Sequence, residues 1–121
     1  MTLPENAVLL RVYTGERHRA DGLPLYEAIV RRARETHLAG ATVLRGPMGY
    51  GRSTRLHRAS LLELSEDLPV VVEIIDAKER IEAFLPVVEA LVDSGLVTLQ
   101  EVRVCHPRGG ADASGEGAGA P

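Results

Sequence analysis

The chain has 121 residues, with 14 basic and 17 acidic side chains, a formal charge of −3 and a single cysteine, Cys105. One domain with one core fits that length without cross-links, and a lone cysteine, which forms no intrachain disulfide, suits a reducing cytoplasm or a buried inert thiol. The negative balance argues against a general nucleic-acid binder, and Tyr13, Tyr26, Tyr50 and Phe84 are too few aromatics for a platform that stacks a single strand. No apolar run approaches the roughly 18 residues needed to span a bilayer, and MTLPENAVLL lacks the basic-then-apolar order of a signal peptide. A cytoplasmic protein with no direct membrane insertion is expected.

Residues 7–14, AVLLRVYT, alternate as a strand with Val8, Leu10 and Val12 on one face and Leu9, Arg11 and Tyr13 on the other. Residues 15–23 read as a polar loop. Pro24 suits the first position of a helix whose stripe is Leu25, Tyr26, Ile29, Val30 and Ala33, and which should stop near Gly40. Residues 41–45 form a second strand, which ends where Gly46, Gly49 and Gly51 fall within six residues. Residues 52–67 carry Arg52, Arg55, His57 and Arg58 and then Glu63, Glu66 and Asp67, a balance that lets the segment stay solvated as a mobile loop. Within it, residues 59–64 are apolar enough for a short strand or a helical turn.

Residues 69–76, PVVVEIID, are the clearest strand in the chain. Asp76 and Glu79 are spaced as in a capping box, and Ile81, Phe84, Leu85, Val88, Leu91 and Val92 share one helical face. Pro86 predicts a kink without a break, and Gly95 a C-terminal stop. The last strand covers residues 96–104, and its alternation slips near Gln100 as a bulge would make it. Residues 108–121 hold glycine, alanine and acid with no aliphatic anchor, so a disordered tail follows a domain of residues 1–107.

The order β-α-β-β-α-β predicts a ferredoxin-like α+β sandwich, a four-stranded antiparallel sheet with two helices on one face. The opposite face is expected to carry Leu9, Arg11 and Tyr13, then Val43 and Arg45, then Val71, Glu73 and Ile75, and finally Glu101 and Arg103. Large aliphatics mixed with charges of both signs mark an oligomer interface, with Arg11, Tyr13, Arg45, Glu73 and Arg103 as its polar members. A wet sheet face with incidental aliphatics is the alternative.

Glycine leaves backbone N–H groups unshielded, so Gly46, Gly49 and Gly51 with Arg52 and Arg55 form a candidate anion site. The pattern lacks the lysine of a P-loop, and turn glycines alone also explain it. His57 has no second histidine or cysteine beside it and reads as an exposed loop residue, with no metal site implied. Glu66 and Asp67 suit a turn better than acid/base chemistry, and Cys105 has no partner for nucleophilic catalysis, so a non-enzymatic protein is expected.

The segments LLRVYTGE at 9–16, GLPLYEAIVRRARE at 22–35 and HLAGATVLRGPMGYG at 37–51 carry a resemblance to a known family. RLHRASLLELSEDLPVVVEIID at 55–76 and FLPVVEALVDSGLVTLQEVRV at 84–104 complete it. Over residues 8–104 the chain resembles the uncharacterised PII-like proteins of domain-of-unknown-function family 190. That resemblance implies a signal-transduction homotrimer of the nitrogen regulatory PII superfamily, without a cofactor but with intersubunit clefts for an adenine nucleotide. It also implies a signalling loop at residues 52–67, rooted at Gly46, Gly49 and Gly51. PII proteins have a glycine- and lysine-rich phosphate loop before the last strand. Here Asp93, Ser94 and Gly95 stand in that place, which leaves the glycine break and its arginines to hold phosphate. Family members are often encoded beside fluoride-channel genes, which implies a membrane channel or transporter as partner. A ligand-independent interaction module acting on such a partner is the alternative function.

Overall fold

The structure, a computed structural model, describes residues 3–51 and 67–106 with their side chains and residues 54–58 by their backbone. In chain order the described elements are β1 (Asn6–Gly15), β2 (Arg19–Ala20), β3 (Leu23–Pro24), α1 (Leu25–Glu35), β4 (Thr42–Arg45) and β5 (Met48–Gly51). They continue with β6 (Thr54–Arg58), β7 (Pro69–Asp76), α2 (Lys78–Leu91) and β8 (Leu96–Arg103). Four of the strands form one antiparallel sheet in the order β4-β7-β1-β8, with both helices packed against one face: the ferredoxin-like arrangement. The expected short strand at 59–64 and the tail at 108–121 lie outside the described residues.

Strand β1 is paired along both edges, with β7 from Val8↔Asp76 to Gly15↔Pro69 and with β8 from Asn6↔Arg103 to Tyr13↔Leu96. Its alternation sends Val8, Leu10 and Val12 into the core, where they meet Val72 and Ile74 of β7, Ile29 of α1, and Ile81, Phe84 and Val88 of α2. Each such side chain contributes about 1.5–3 kcal/mol on full burial, before the entropy of ordering it.

The elements end where local chemistry stops them. Pro24, expected as the first helical residue, is instead the N-cap of α1, with φ −54° and ψ 140°, so the helix begins one position later at Leu25. The helix stops at Glu35, well short of Gly40, because the chain closes a Schellman turn. His37 adopts φ 62°, its N–H donates to the Arg34 carbonyl, and the Leu38 N–H donates to the Ala33 carbonyl, each at 3.0 Å. Helix α2 runs unbroken through Pro86 and ends at Leu91, so Gly95 is not its stop. Residues 15–23 are not all loop, since β2 and β3 pair within them.

Asp76 is not a helix cap either; Ala77 takes that position without a side-chain bond. Asp76 closes β7 as a carboxylate only 1% exposed, and three donors converge on it. The Ala39 N–H reaches Oδ2 at 2.9 Å, the Ala77 N–H reaches Oδ1 at 2.7 Å, and Arg80 Nε reaches Oδ2 at 3.1 Å. The same Arg80 donates to the His37 carbonyl, so one charge cluster joins the start of α2 to the end of α1.

The register corrects the expected open face on both edge strands. Directly paired residues share a face, so Thr42 and Leu44 lie beside Glu73 and Val71, while Val43 and Arg45 share the helix side with Val72 and Val70. On β8, Leu96, Thr98, Gln100 and Val102 lie on the open face, and Glu101 and Arg103 on the other. No bulge interrupts the β1–β8 ladder. The alternation slips in sequence because Leu99 shares the helix side with Glu101 and Arg103, where it is 45% exposed. The resulting open face is striped. Leu44, Val71, Tyr13 and Leu96 form one apolar row across all four strands, and Thr42, Glu73, Arg11 and Thr98 form the polar row beside it.

Replacing Asp76 by alanine strips three donors, one of them charged, of their acceptor. We expect Asp76→Ala to lower stability by about 3–5 kcal/mol in urea unfolding.

A candidate ligand cavity beside the glycine ribbon

The glycine-rich stretch is a strand rather than a bare break. Met48–Gly51 pairs with Thr54–Arg58 as a two-stranded ribbon, and its register shifts between Gly49 and Gly51. Gly46 and Gly49 lie against the ring of Pro69, which would stand 3.0 and 3.2 Å from a Cβ placed on them. The Gly46 N–H also donates to the Pro69 carbonyl at 2.8 Å, so the ribbon is fastened to the first residue of β7.

Beside this junction lies a cavity of about 620 Å³. The end of β1 supplies Tyr13, Thr14 and Gly15, and the ribbon supplies Gly49, Tyr50 and Gly51. Asp67 and Pro69 to Val71 form another wall, the turn Asp93-Ser94-Gly95 with Leu96 a further one, and His18 also contributes. The volume falls within the roughly 300–1,000 Å³ typical of small-molecule sites. Two of the walls were separate readings in sequence: the glycine stretch and the turn before the last strand meet only here.

Local geometry explains the positions. Gly95 has φ 153°, and a Cβ there would stand 2.8 Å from the Tyr13 carbonyl, so only glycine lets this turn close on β1. Asp67 Oδ1 accepts the Arg17 N–H at 2.8 Å, and the Glu16 N–H donates to the Leu68 carbonyl at 3.0 Å, which binds the exit of β1 to the approach to β7. Thr14 Oγ1 is buried and has no hydrogen-bond partner. Among the described residues it alone stands so, and Thr14 lines the cavity.

The residues singled out in sequence divide as follows. Gly49 and Gly51 line the cavity, whereas Gly46 packs behind it on Pro69. Arg52 lies outside the described residues, and Arg55 is described by its place in β6 alone. Arg11 and Glu73 face each other on the open face, with Arg11 Nε and Nη2 both 2.9 Å from Glu73 Oε2. Glu73 first, and Tyr13 after it, push the Arg11 guanidinium pKa above its ordinary value. Arg45 meets Glu16, and Arg103 Nε meets Glu5 Oε2 at 3.1 Å, both away from the open face. Sequence reasoning missed Thr14, His18 and Tyr50 as wall residues, because no local pattern joins them.

Solved structures share this fold. Two structures of CPII, a nitrogen regulatory PII-like protein from Thiomonas intermedia K12, superpose with TM-scores of 0.54 and 0.55 at 18% sequence identity. Each match covers 82% of this chain and 88% of CPII, and the arrangement is thereby a PII-like one. One of those CPII structures holds ADP and bicarbonate, the other ADP, AMP and bicarbonate. Residues 7–104 match the DUF190 family, described as Uncharacterized ACR, and the chain belongs to that family. It is 42% identical over 98 residues to a UPF0166 protein of Aquifex aeolicus, a match covering 81% of this chain and 92% of that one. A UPF0166 protein of Methanocaldococcus jannaschii is 31% identical over 101 residues, covering 83% and 90% respectively. Among the described residues no helix is long and apolar enough to cross a membrane.

Gly95→Ala tests how far the cavity depends on its turn. The substitution is expected to cost about 1–3 kcal/mol through backbone strain alone, read as a lowered melting temperature.

Proposed function

We propose that the chain is a non-enzymatic, cytoplasmic PII-like regulator. It assembles as a homotrimer through its open sheet face and takes an adenine nucleotide in the cavity. It relays occupancy through residues 52–67 to a protein partner such as a membrane transporter. The cavity carries this reading: it joins the glycine ribbon, which leads directly into the basic segment, to the turn before the last strand. Thr14 and Gly15, at the end of β1, close the side between them. Nucleotides in CPII, which shares the fold, supply the ligand class. The charges of Arg52 and Arg55, which follow the ribbon strand in the chain, hold the phosphate end, with Gly49 and Gly51 lining the cavity and Gly46 anchoring the ribbon behind it. Ordering a basic segment by charge-assisted hydrogen bonds is the physical means of signalling.

The trimer reading rests on the striped face. Leu44 and Leu96 are 49% and 58% exposed at the two ends of one apolar row, beside a charge pair that already satisfies itself. Such a surface gains by burial against copies of itself. Arg11, Tyr13 and Glu73 are its polar members, and Leu44 and Val102 take the places first assigned to Arg45 and Arg103.

Calorimetry with ADP, ATP, AMP and cyclic nucleotides tests the ligand, and heat from at least one of them is expected. A flat response to all removes the sensor function. It leaves the ligand-independent module, for which the exposed Met48 and Tyr50 of the ribbon speak, and partner capture insensitive to nucleotide is then expected. Light scattering tests the assembly: a trimer is expected for the native chain. Glu73→Ala leaves Arg11 unpaired in the seam, which costs about 3–5 kcal/mol per buried charge and shifts the population toward monomer. A monomeric native protein sinks the trimer.

A further inference from the structure

Tyr50 is 78% exposed, the most open large apolar side chain among the described residues, yet it lines the cavity. It makes no hydrogen bond or ion pair with the described residues, and its neighbours Gly49 and Gly51 carry no side chains to cover its ring. Tyr13, the second of the chain's three tyrosines in this wall, is held differently, beside the Arg11 and Glu73 pair. Pro69, Val71 and Leu96 add apolar surface, while Asp67 and Asp93 supply carboxylate acceptors. Apolar walls edged by acceptors suit a flat ring bearing N–H donors, and two carboxylates repel a phosphate brought against them.

We infer that the cavity receives a planar heteroaromatic ring, the base end of the nucleotide, and that Tyr50 is the side chain that stacks on it. This deepens the nucleotide reading above and rests on it. The ligand therefore enters with its base toward Tyr50 and its phosphates away from Asp67 and Asp93. An aromatic ring left in water without packing or a hydrogen bond gains contact area when a base covers it, whichever base that is. Selectivity then comes from the carboxylates, which accept from amino groups and ribose hydroxyls.

The test titrates ADP, adenosine and ribose 5-phosphate into the full chain and into Tyr50→Ala, Tyr50→Phe and Met48→Ala. Met48 is an exposed apolar residue of the same strand that does not line the cavity. Loss of one base stack weakens binding about 5- to 150-fold, so ADP and adenosine are expected to bind Tyr50→Ala at least about fivefold more weakly. Tyr50→Phe, which keeps the ring, and Met48→Ala are expected to stay within about twofold of the native protein, and ribose 5-phosphate to bind every variant alike. ADP bound equally by the native chain and Tyr50→Ala overturns the stacking role while nucleotide sensing stands. Equal losses in Tyr50→Phe and Tyr50→Ala overturn it in favour of the hydroxyl. A native chain that binds neither ADP nor adenosine overturns both readings together.

Discussion

The hydrogen-bonded pairing of β1 along both of its edges is the constraint on which the structure depends. A strand fixed by β7 on one side and β8 on the other cannot slip by one residue without turning Val8, Leu10 and Val12 out of the core. With that register locked, Leu9, Arg11 and Tyr13 must point the other way, and the sheet acquires a second face whether or not anything covers it. The helices then have one place to pack. The buried Asp76 cluster fixes how they arrive there, by joining the end of α1 to the beginning of α2.

The cavity follows from where β1 stops. At Gly15 the chain leaves the sheet beside Pro69, and the Arg17 N–H to Asp67 bond keeps the two segments together. The ribbon is fastened to the same proline through Gly46, and the Gly95 turn closes on the Tyr13 carbonyl. Three connections thus crowd one end of the sheet. Such an arrangement leaves space among rigid anchors. It also couples that space to the open face, since Tyr13, Val71 and Leu96 belong both to the cavity wall and to the apolar row.

The expected elements and the observed ones agree best where the pattern is long and local. Residues 69–76 form β7 with the bounds read from sequence, because three valines and two isoleucines between a proline and a helix start have little else to be. The stripe of α2 overrode Pro86 for the same reason. Disagreements cluster where a short element depends on a distant partner. A helix reading up to Gly40 could not foresee that His37 would take a left-handed conformation and close the turn earlier. Asp76 and Glu79 had capping-box spacing, but the carboxylate was drawn instead to Ala39 and Arg80.

The amino-acid sequence by itself determined the six main elements, their order and the inward face of the central strands, since period-two and period-3.6 patterns are properties of neighbouring residues. Only the tertiary structure decided which faces the edge strands present. Register on β4 and β8 is set by hydrogen bonds to β7 and β1, and a shift of one residue exchanges Arg45 for Leu44 and Arg103 for Val102. The gathering of Thr14, Tyr50, Asp67 and Asp93 around one cavity was decided there too. These residues lie far apart along the chain, and no local preference encodes the meeting of three separate connections at one end of a sheet.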